Sequence, residues 1–260
     1  MLNLLFFTVL ALYLCSTILQ FISIAFKKDI IGKKAWLISL IGYCLLTVYL
    51  IIRGIEARRL PMSNQFEFAV SLAWGIGLIN IFLHFRLKKD WESVLVLPMI
   101  FLILSYAAFL PREINETMPA LKSIWFGLHI GSAVFSYGAF VLAGSLGLKY
   151  IINHKKDSDK AYKQDYLSYQ LIAFGFLMLT VVILSGCIWA EQAWSTWWSW
   201  DPKETWAFIT WLIYAIYLHQ RINKGIQGIK MAWYSVIALI CVLFTFIGVN
   251  TLLPSIHSYL

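Results

Sequence analysis

Charged residues are scarce in this chain of 260 residues. Asp, Glu, Lys and Arg make up 13% of it and hydrophobic residues make up 60%, whereas an average soluble domain is about 25% charged. Every polar segment is short, which excludes a separate soluble domain of ordinary size. Runs of about 18 or more nearly uncharged residues recur along the whole length. The composition therefore predicts an all-α polytopic membrane protein, with one transmembrane domain over residues 1–260.

Cysteine motifs and a cleavable leader are absent as well. The four cysteines lie far apart, each inside an apolar run, at Cys15, Cys44, Cys187 and Cys241. Because no CxxC and no CxxCH occurs, we expect neither a dithiol redox centre nor a c-type cytochrome. We expect the four to pack as small buried hydrophobic residues. The first apolar run, Leu2–Phe26, lacks a basic leader and a clear cleavage site, so it is predicted to be retained.

The apolar runs predict about eight transmembrane helices. Their approximate bounds are 2–26, 35–52, 66–85, 94–110, 125–152, 171–190, 205–220 and 232–249. The loops after the first, third, fifth and seventh spans hold 15 of the 21 Lys and Arg residues, and the other loops hold 6. The positive-inside rule then places both termini on the extracytoplasmic side. The net charge of +8 is explained by these cytoplasmic loops, so we predict no nucleic-acid partner.

Tryptophan is concentrated in one short stretch between two of the apolar runs. Residues 194–206 read WSTWWSWDPKETW, and seven of the twelve Trp fall within 189–211. An interfacial aromatic belt would spread its Trp over many span ends, so the belt alone does not explain this density. Asp201, Pro202 and Glu204 match the start of a helix with a capping box. The sequence predicts an external tryptophan-rich loop over 190–204.

Two histidines are predicted to lie near this loop. His129 falls about one turn inside the external end of the fifth span, and His257 lies just beyond the eighth. A lone histidine inside a membrane can be a packing residue, but imidazole is also a standard axial ligand of haem iron. A porphyrin is flat and apolar and suits aromatic neighbours. Paired imidazoles beside a Trp platform therefore indicate haem.

The remaining histidines lie toward the other side. His219 and His84 fall near the cytoplasmic ends of the seventh and third spans, and His154 sits among lysines in a loop. His154 is predicted to be solvated. His84 is at about the same depth as His219, so it is a tentative second ligand of an inner site.

The tryptophan-rich stretch closely resembles the WWD signature of membrane haem-handling proteins. Within that group the chain resembles the CcsA/ResC type of cytochrome c biogenesis protein, of the system II pathway. The stretches PMSNQFEFA, WFGLHIGSAVFSYGAF and GVNTLLPSIHSY also resemble that family, so the likeness runs from about residue 61 to the end. Ser195 is a departure, because the family usually has Gly after the Trp.

The resemblance implies roles for particular residues. His129 and His257 would be axial ligands of external haem b, and His219 would belong to an inner haem site; haem iron would thus be bound through His129, His257 and His219. The haem platform would be Trp194, Trp197, Trp198, Trp200, Asp201 and Trp206. A separate CcsB/ResB-type subunit with an extracytoplasmic domain would be the partner.

The function implied is cytochrome c maturation. The chain would bring haem to the extracytoplasmic face and present it to the CxxCH cysteines of apocytochrome c, as the haem-binding part of a holocytochrome c synthase, or haem lyase. A thioredoxin-like thiol reductant is a further expected partner. The membrane would be a bacterial inner membrane or a thylakoid. Two alternatives are a haem exporter without ligation activity and a b-type electron-transfer cytochrome, although no helix here holds the two His that such a cytochrome needs.

Overall fold

The computed structural model describes residues 1–87, 95–114, 119–154 and 158–253 of the chain. Within these ranges the regular structure is entirely helical, with no strand, which confirms the predicted fold class. The chain divides into two compact units, Met1–Glu116 and Thr117–Leu260. That the two units make one transmembrane domain stays a prediction.

The first unit contains four long helices. They are α1 (Leu2–Ala25), α2 (Asp29–Ala57), α3 (Gln65–Leu87) and α4 (Val96–Ala108). α1 packs against α2 and α4, and α3 packs against α4 and α2. Phe6 and Phe66, with ring centroids 5.4 Å apart, lie in the core. Glu67 is fully buried and accepts hydrogen bonds from Arg53 Nε at 2.9 Å and Arg59 Nη1 at 2.6 Å.

The second unit contains the helices that carry the tryptophan-rich stretch. A short 3₁₀ turn (Pro119–Leu121) precedes α5 (Ile124–Asn153), α6 (Ser158–Trp194), α7 (Pro202–Asn223) and α8 (Ile229–Leu243). A π-helical segment (Phe244–Gly248) joins α8 to α9 (Val249–Leu252).

Small residues let α5 approach its neighbours closely. A Cβ added at Gly147 would lie 2.8 Å from the Ala232 carbonyl oxygen, and one added at Gly175 would lie 2.6 Å from the Phe140 ring. Glycine at such contacts permits close helix packing in a membrane, where apolar burial in lipid gives little driving force.

Within the described residues, six helices are long and apolar enough to cross a membrane. They are Leu2–Ala25, Asp29–Ala57, Gln65–Arg86, Ile124–Ile152, Ala161–Trp194 and Ile229–Leu252. α4 is a shorter apolar helix of 13 residues, and α7 is not among the six. The chain is therefore a multi-pass membrane protein, while the count of eight crossings and the external termini stay predictions.

Several helices extend beyond the bounds predicted for the spans. α6 begins at Ser158, well before residue 171, because its polar first turns are stabilised by a buried ion pair between Asp165 and Arg221 of α7, 2.5 Å apart. The spans were predicted from apolar runs alone, and such runs carry no information about an ion pair between two helices. The last predicted span ends at residue 249, but helix continues through Asn250 in α9, where its side chain donates to the Phe246 carbonyl.

The cysteines also differ from expectation. Cys15 and Cys44 are exposed on the surface of the chain, and Cys187 and Cys241 are half-buried. None of the four is enclosed by protein, because α1 and α2 turn much of their apolar surface outward. In a membrane that surface meets lipid, which satisfies an apolar thiol as well as a protein core does.

Candidate functional site

The tryptophan-rich loop is shorter than predicted. α6 continues through Trp194 and α7 begins at Pro202, so only residues 195–201 of the predicted 190–204 form the connection. The capping box is confirmed: Asp201 Oδ1 accepts from the Lys203 N–H at 3.0 Å. Glu204 Oε2 accepts from Ser199 N, Ser199 Oγ and Asp201 N, at 2.9, 3.2 and 3.3 Å. These hydrogen bonds hold the loop against the start of α7.

Two residues of the loop adopt left-handed backbone conformations. Ser195 has φ 58° and Trp200 has φ 59°. Such a conformation costs a residue with a Cβ about 1–2 kcal/mol. The strain at Ser195 explains why glycine suits the position that follows Trp194. Trp200 also has a left-handed conformation and carries a Cβ, so its backbone is strained. The surrounding structure holds the Trp200 side chain in place despite this strain.

The loop presents its indole rings outward. Trp194, Trp197 and Trp200 have 37%, 60% and 67% of their surface exposed. Neighbouring Trp189 is 1% exposed, which shows that the same stretch buries a ring where it can. Three exposed indoles in seven residues form an apolar aromatic surface of the kind that marks a binding site.

Trp198 adds a polar donor to this surface. Its ring lies 5.7 Å from Trp200 and 6.4 Å from Phe208, measured between centroids. Its Nε1 is buried and has no hydrogen-bond partner. A buried indole N–H normally finds an acceptor. This donor is therefore suited to an acceptor group on a bound molecule.

His129 has a fixed ring orientation. Its Nδ1 lies 2.8 Å from the carbonyl oxygen of Val182 on α6. A carbonyl can only accept, so Nδ1 carries the proton and Nε2 carries the lone pair of the neutral ring. A backbone acceptor on one nitrogen is the usual partner of a histidine that binds metal through the other.

The surroundings of His129 support this orientation. The ring stacks against Trp189, with centroids 6.1 Å apart and planes at 21°. Trp189 donates from Nε1 to the Ala120 carbonyl at 2.8 Å and contacts Trp194 edge to face. Gly186 lies so close that an added Cβ would be 2.8 Å from His129 Nδ1. His129 is thus connected to the tryptophan-rich stretch through Trp189 and Trp194.

Trp206 and Lys203 occupy the start of α7. The Trp206 ring packs on Phe244 at the start of the π-helical segment, with ring centroids 4.4 Å apart. Lys203 Nζ donates to Asn250 Oδ1 at 3.2 Å, which ties α7 to α9. Burial lowers the pKa of Lys203 to about 8, and the nearby Asp201 carboxylate partly opposes that shift.

The other described histidines have different surroundings. His219 is an exposed residue near the end of α7, where Asn223 Nδ2 lies 3.0 Å from its Nδ1. His84 is in the first unit, stacked on Trp36 at 4.3 Å, and its Nδ1 is buried without a partner. His154 contacts the Ile151 carbonyl in the last turn region of α5. His257, the second predicted axial ligand, lies outside the described residues.

Three features of the site were missed in the sequence. Trp189 was counted in the cluster but given no role beside His129. Gly186 and Val182 were not considered, although a glycine inside an apolar helix signals a close neighbour. Among the described residues no group of three His, Cys, Asp or Glu side chains could hold a bare metal ion.

Comparison with known proteins gives one consistent family. The sequence model of the family described as cytochrome C assembly protein matches residues 62–257. The chain is 34% identical over 253 residues to the cytochrome c biogenesis protein CcsA of Prochlorococcus marinus, covering 83% of this chain and 80% of that protein. It is 37% identical over 229 residues to CcsA of Chlamydomonas reinhardtii, covering 83% and 65%. It is 33% identical over 273 residues to CcsA of Guillardia theta, covering 91% of each.

Proposed function

The chain belongs to the cytochrome c assembly protein family, as a protein of the CcsA kind with a role in cytochrome c maturation, and from this premise we propose its part in that process. It binds haem b on the extracytoplasmic side and presents it to the two cysteines of a CxxCH segment in apocytochrome c. It is the haem-binding part of a holocytochrome c synthase.

The orientation of His129 is the observation that carries this proposal. Its Nδ1–H is bound to the Val182 carbonyl, which directs the lone pair of Nε2 to a metal. A chain of ring contacts through Trp189 leads from this imidazole to Trp194. Exposed indoles next to a preoriented imidazole fit a flat, apolar, iron-containing molecule.

The chain's own groups perform binding and orientation. His129 and His257 would hold the haem iron, and Trp194, Trp197, Trp198, Trp200 and Asp201 would line the platform, with Trp206 of α7 as its further member. The buried Trp198 Nε1 donates to a haem carboxylate. Haem supplies the vinyl groups to which the cysteine thiols add. The protein restricts the ring to one orientation, so that the peptide meets a fixed target.

Release of the product follows from the ligand chemistry. The histidine of the CxxCH segment would take one of the two histidine positions on iron once the thioethers have formed. His129, which α5 carries, would be the ligand that stays.

Haem enters through an inner site that includes His219. This histidine is exposed on the surface of the second unit, so a second ligand comes from outside that surface, from a CcsB/ResB-type subunit. That subunit also holds the extracytoplasmic domain that receives apocytochrome c. A thioredoxin-like reductant keeps the CxxCH cysteines as thiols. A role for His84 as a second ligand of the inner site stays a prediction.

The proposed membrane orientation has both termini and the tryptophan-rich loop outside the cytoplasm, in a bacterial inner membrane or a thylakoid. Reporter fusions at Lys160 and after Leu260 test it. We expect a reporter of cytoplasmic location at Lys160 and of external location after Leu260. External activity at Lys160 would overturn the orientation.

Replacement of the axial histidine tests the function. We expect His129→Gly to abolish cytochrome c maturation in cells that contain the partner subunit, and added imidazole to restore part of it by filling the vacant position. His154→Gly is the matched control and should mature cytochrome c normally. Normal maturation by His129→Gly would remove this residue from the site. Failure of imidazole to rescue it would show that His129 acts through the fold instead of through iron.

A further inference from the structure

The first unit contains a cavity that the proposed function does not use. It has a volume of about 270 Å³ and is lined by Met1, Leu2, Asn3, Arg53, Glu56, Arg112 and Ile114. Its walls thus combine two guanidinium groups, one carboxylate and apolar side chains. It lies at the end of the unit where α1 begins and α2 ends.

Arg53 fixes the segment that carries Arg112. Arg53 is 2% exposed, and its Nε donates to the fully buried Glu67 at 2.9 Å. Its two terminal nitrogens donate to the backbone carbonyls of Arg112 and Glu113, at 2.9 and 3.3 Å. The donor nitrogens of Arg53 are therefore engaged by Glu67 and by these two carbonyls, and they hold the segment that carries Arg112 in place.

Arg112 has a charge that the fold leaves uncompensated. Its guanidinium lies over the Phe7 ring at 4.8 Å and over Phe6 at 5.9 Å. Nη1 is buried and has no hydrogen-bond partner, and within the part of the chain that the structure describes no carboxylate pairs with it. Glu56 lines the same cavity without an ion pair to Arg112. A buried, unpaired guanidinium nitrogen is costly unless a ligand completes it.

We propose that this cavity binds the headgroup of a zwitterionic membrane phospholipid, with the phosphate on Arg112 and a primary ammonium on Glu56. Arg112, whose Nη1 has no partner, and Glu56 give the cavity one open donor group and one carboxylate, which match a ligand that carries both charges. Guanidinium groups suit phosphate oxygens because several donors lie in one plane. The apolar neighbours provide for the acyl chains, since Phe7 and Leu4 of α1 are 45% and 76% exposed.

The position of the cavity favours a lipid over a soluble phosphate. α1 is one of the six apolar helices, and only 28% of its apolar window is buried within the chain. Arg112 sits on the ring of Phe7, which belongs to this lipid-facing surface. Basic pockets between transmembrane helices are one known kind of lipid-headgroup site.

Lipid retention by the purified full-length chain tests the proposal. Delipidated protein in detergent is titrated with phosphatidylethanolamine, phosphatidylglycerol or inorganic phosphate, and bound lipid is counted by native mass spectrometry. We expect phosphatidylethanolamine to bind more tightly than phosphatidylglycerol, and inorganic phosphate not to displace it. Equal binding of the two lipids, or displacement by inorganic phosphate, would overturn the proposal without any variant being made.

Variants then assign the charges. Arg112→Gln should weaken phosphatidylethanolamine binding roughly tenfold or more, the usual effect of losing a charged hydrogen bond. Arg58→Gln, an exposed arginine at the end of α2, should bind as the unmodified chain does. Glu56→Gln should remove the preference for the amine lipid, whereas Glu113→Gln should keep it. Unchanged binding by Arg112→Gln or an unchanged preference in Glu56→Gln would contradict the assignment.

Discussion

Gly186 offers a way to disturb His129 without touching it. An added Cβ at Gly186 would lie 2.8 Å from His129 Nδ1 and 2.9 Å from Cε1, whereas ordinary contacts begin at 3.4 Å. The difference of 0.6 Å must be met by movement of the imidazole, because Gly186 is inside α6. The substitution Gly186→Ala therefore forces the ring away from its position beside Val182.

The stability of Gly186→Ala is expected to change little. Alanine in place of glycine inside a helix stabilises it by about 1 kcal/mol. Loss of the hydrogen bond from Nδ1 to the Val182 carbonyl, now 2.8 Å, costs about 1 kcal/mol. The two effects nearly cancel in the free energy of unfolding. Haem binding has no such compensation, because the displaced ring no longer directs Nε2 to iron.

Gly131→Ala is the matched control. It is on α5, two residues from His129, and an added Cβ there meets nothing within 4 Å. We expect it to gain about 1 kcal/mol in stability and to keep its haem. The assay is the haem absorbance per protein of chains purified with the partner subunit, together with their thermal unfolding. Equal haem absorbance in Gly186→Ala and Gly131→Ala would refute the reasoning.

Four further substitutions test other parts of the account. Ser195→Gly should raise the melting temperature by relieving about 1 kcal/mol of left-handed strain, and Trp200→Gly should relieve the same strain but lose haem; retained haem in Trp200→Gly would exclude that ring from the platform. Asp165→Asn should destabilise the chain by about 3–5 kcal/mol, because it leaves Arg221 buried without its partner, and an unchanged thermal melt would contradict this. Because the pKa of Lys203 is lower in the folded chain, the unfolded chain binds the Lys203 proton more tightly, and the free energy of unfolding should rise between pH 8 and pH 10.5. Lys203→Met should remove that rise in thermal melts recorded over this pH range. An identical rise in the variant would show that another group is responsible.

Much of the helical architecture was predictable because its signals are local. Uncharged runs located the helices, and Asp201, Pro202 and Glu204 located the start of α7 by their capping chemistry alone. The length of α6 was not predictable in the same way. It depends on Asp165 meeting Arg221 of another helix, and a pairing distant in sequence leaves no local trace.

The candidate site shows the same division. The tryptophan cluster and His129 stand out by composition and by type of residue. The hydrogen bond from His129 to Val182 and the stacking on Trp189 require α5 and α6 to pack in one register. The left-handed conformation of Trp200 was also invisible, because a tryptophan gives no sign of such strain. Only Ser195, in a position that favours glycine, gave a partial signal.

The absorption spectrum of the purified chain, co-expressed with its partner subunit in haem-replete cells, tests the central claim most directly. The spectrum, recorded for the protein as isolated and again after dithionite is added, should show six-coordinate b-type haem. His129→Gly should lose part of this spectrum, and added imidazole should restore that part. A colourless preparation, or a spectrum that is the same in the unmodified chain and in His129→Gly, would contradict the claim that this chain presents haem through His129.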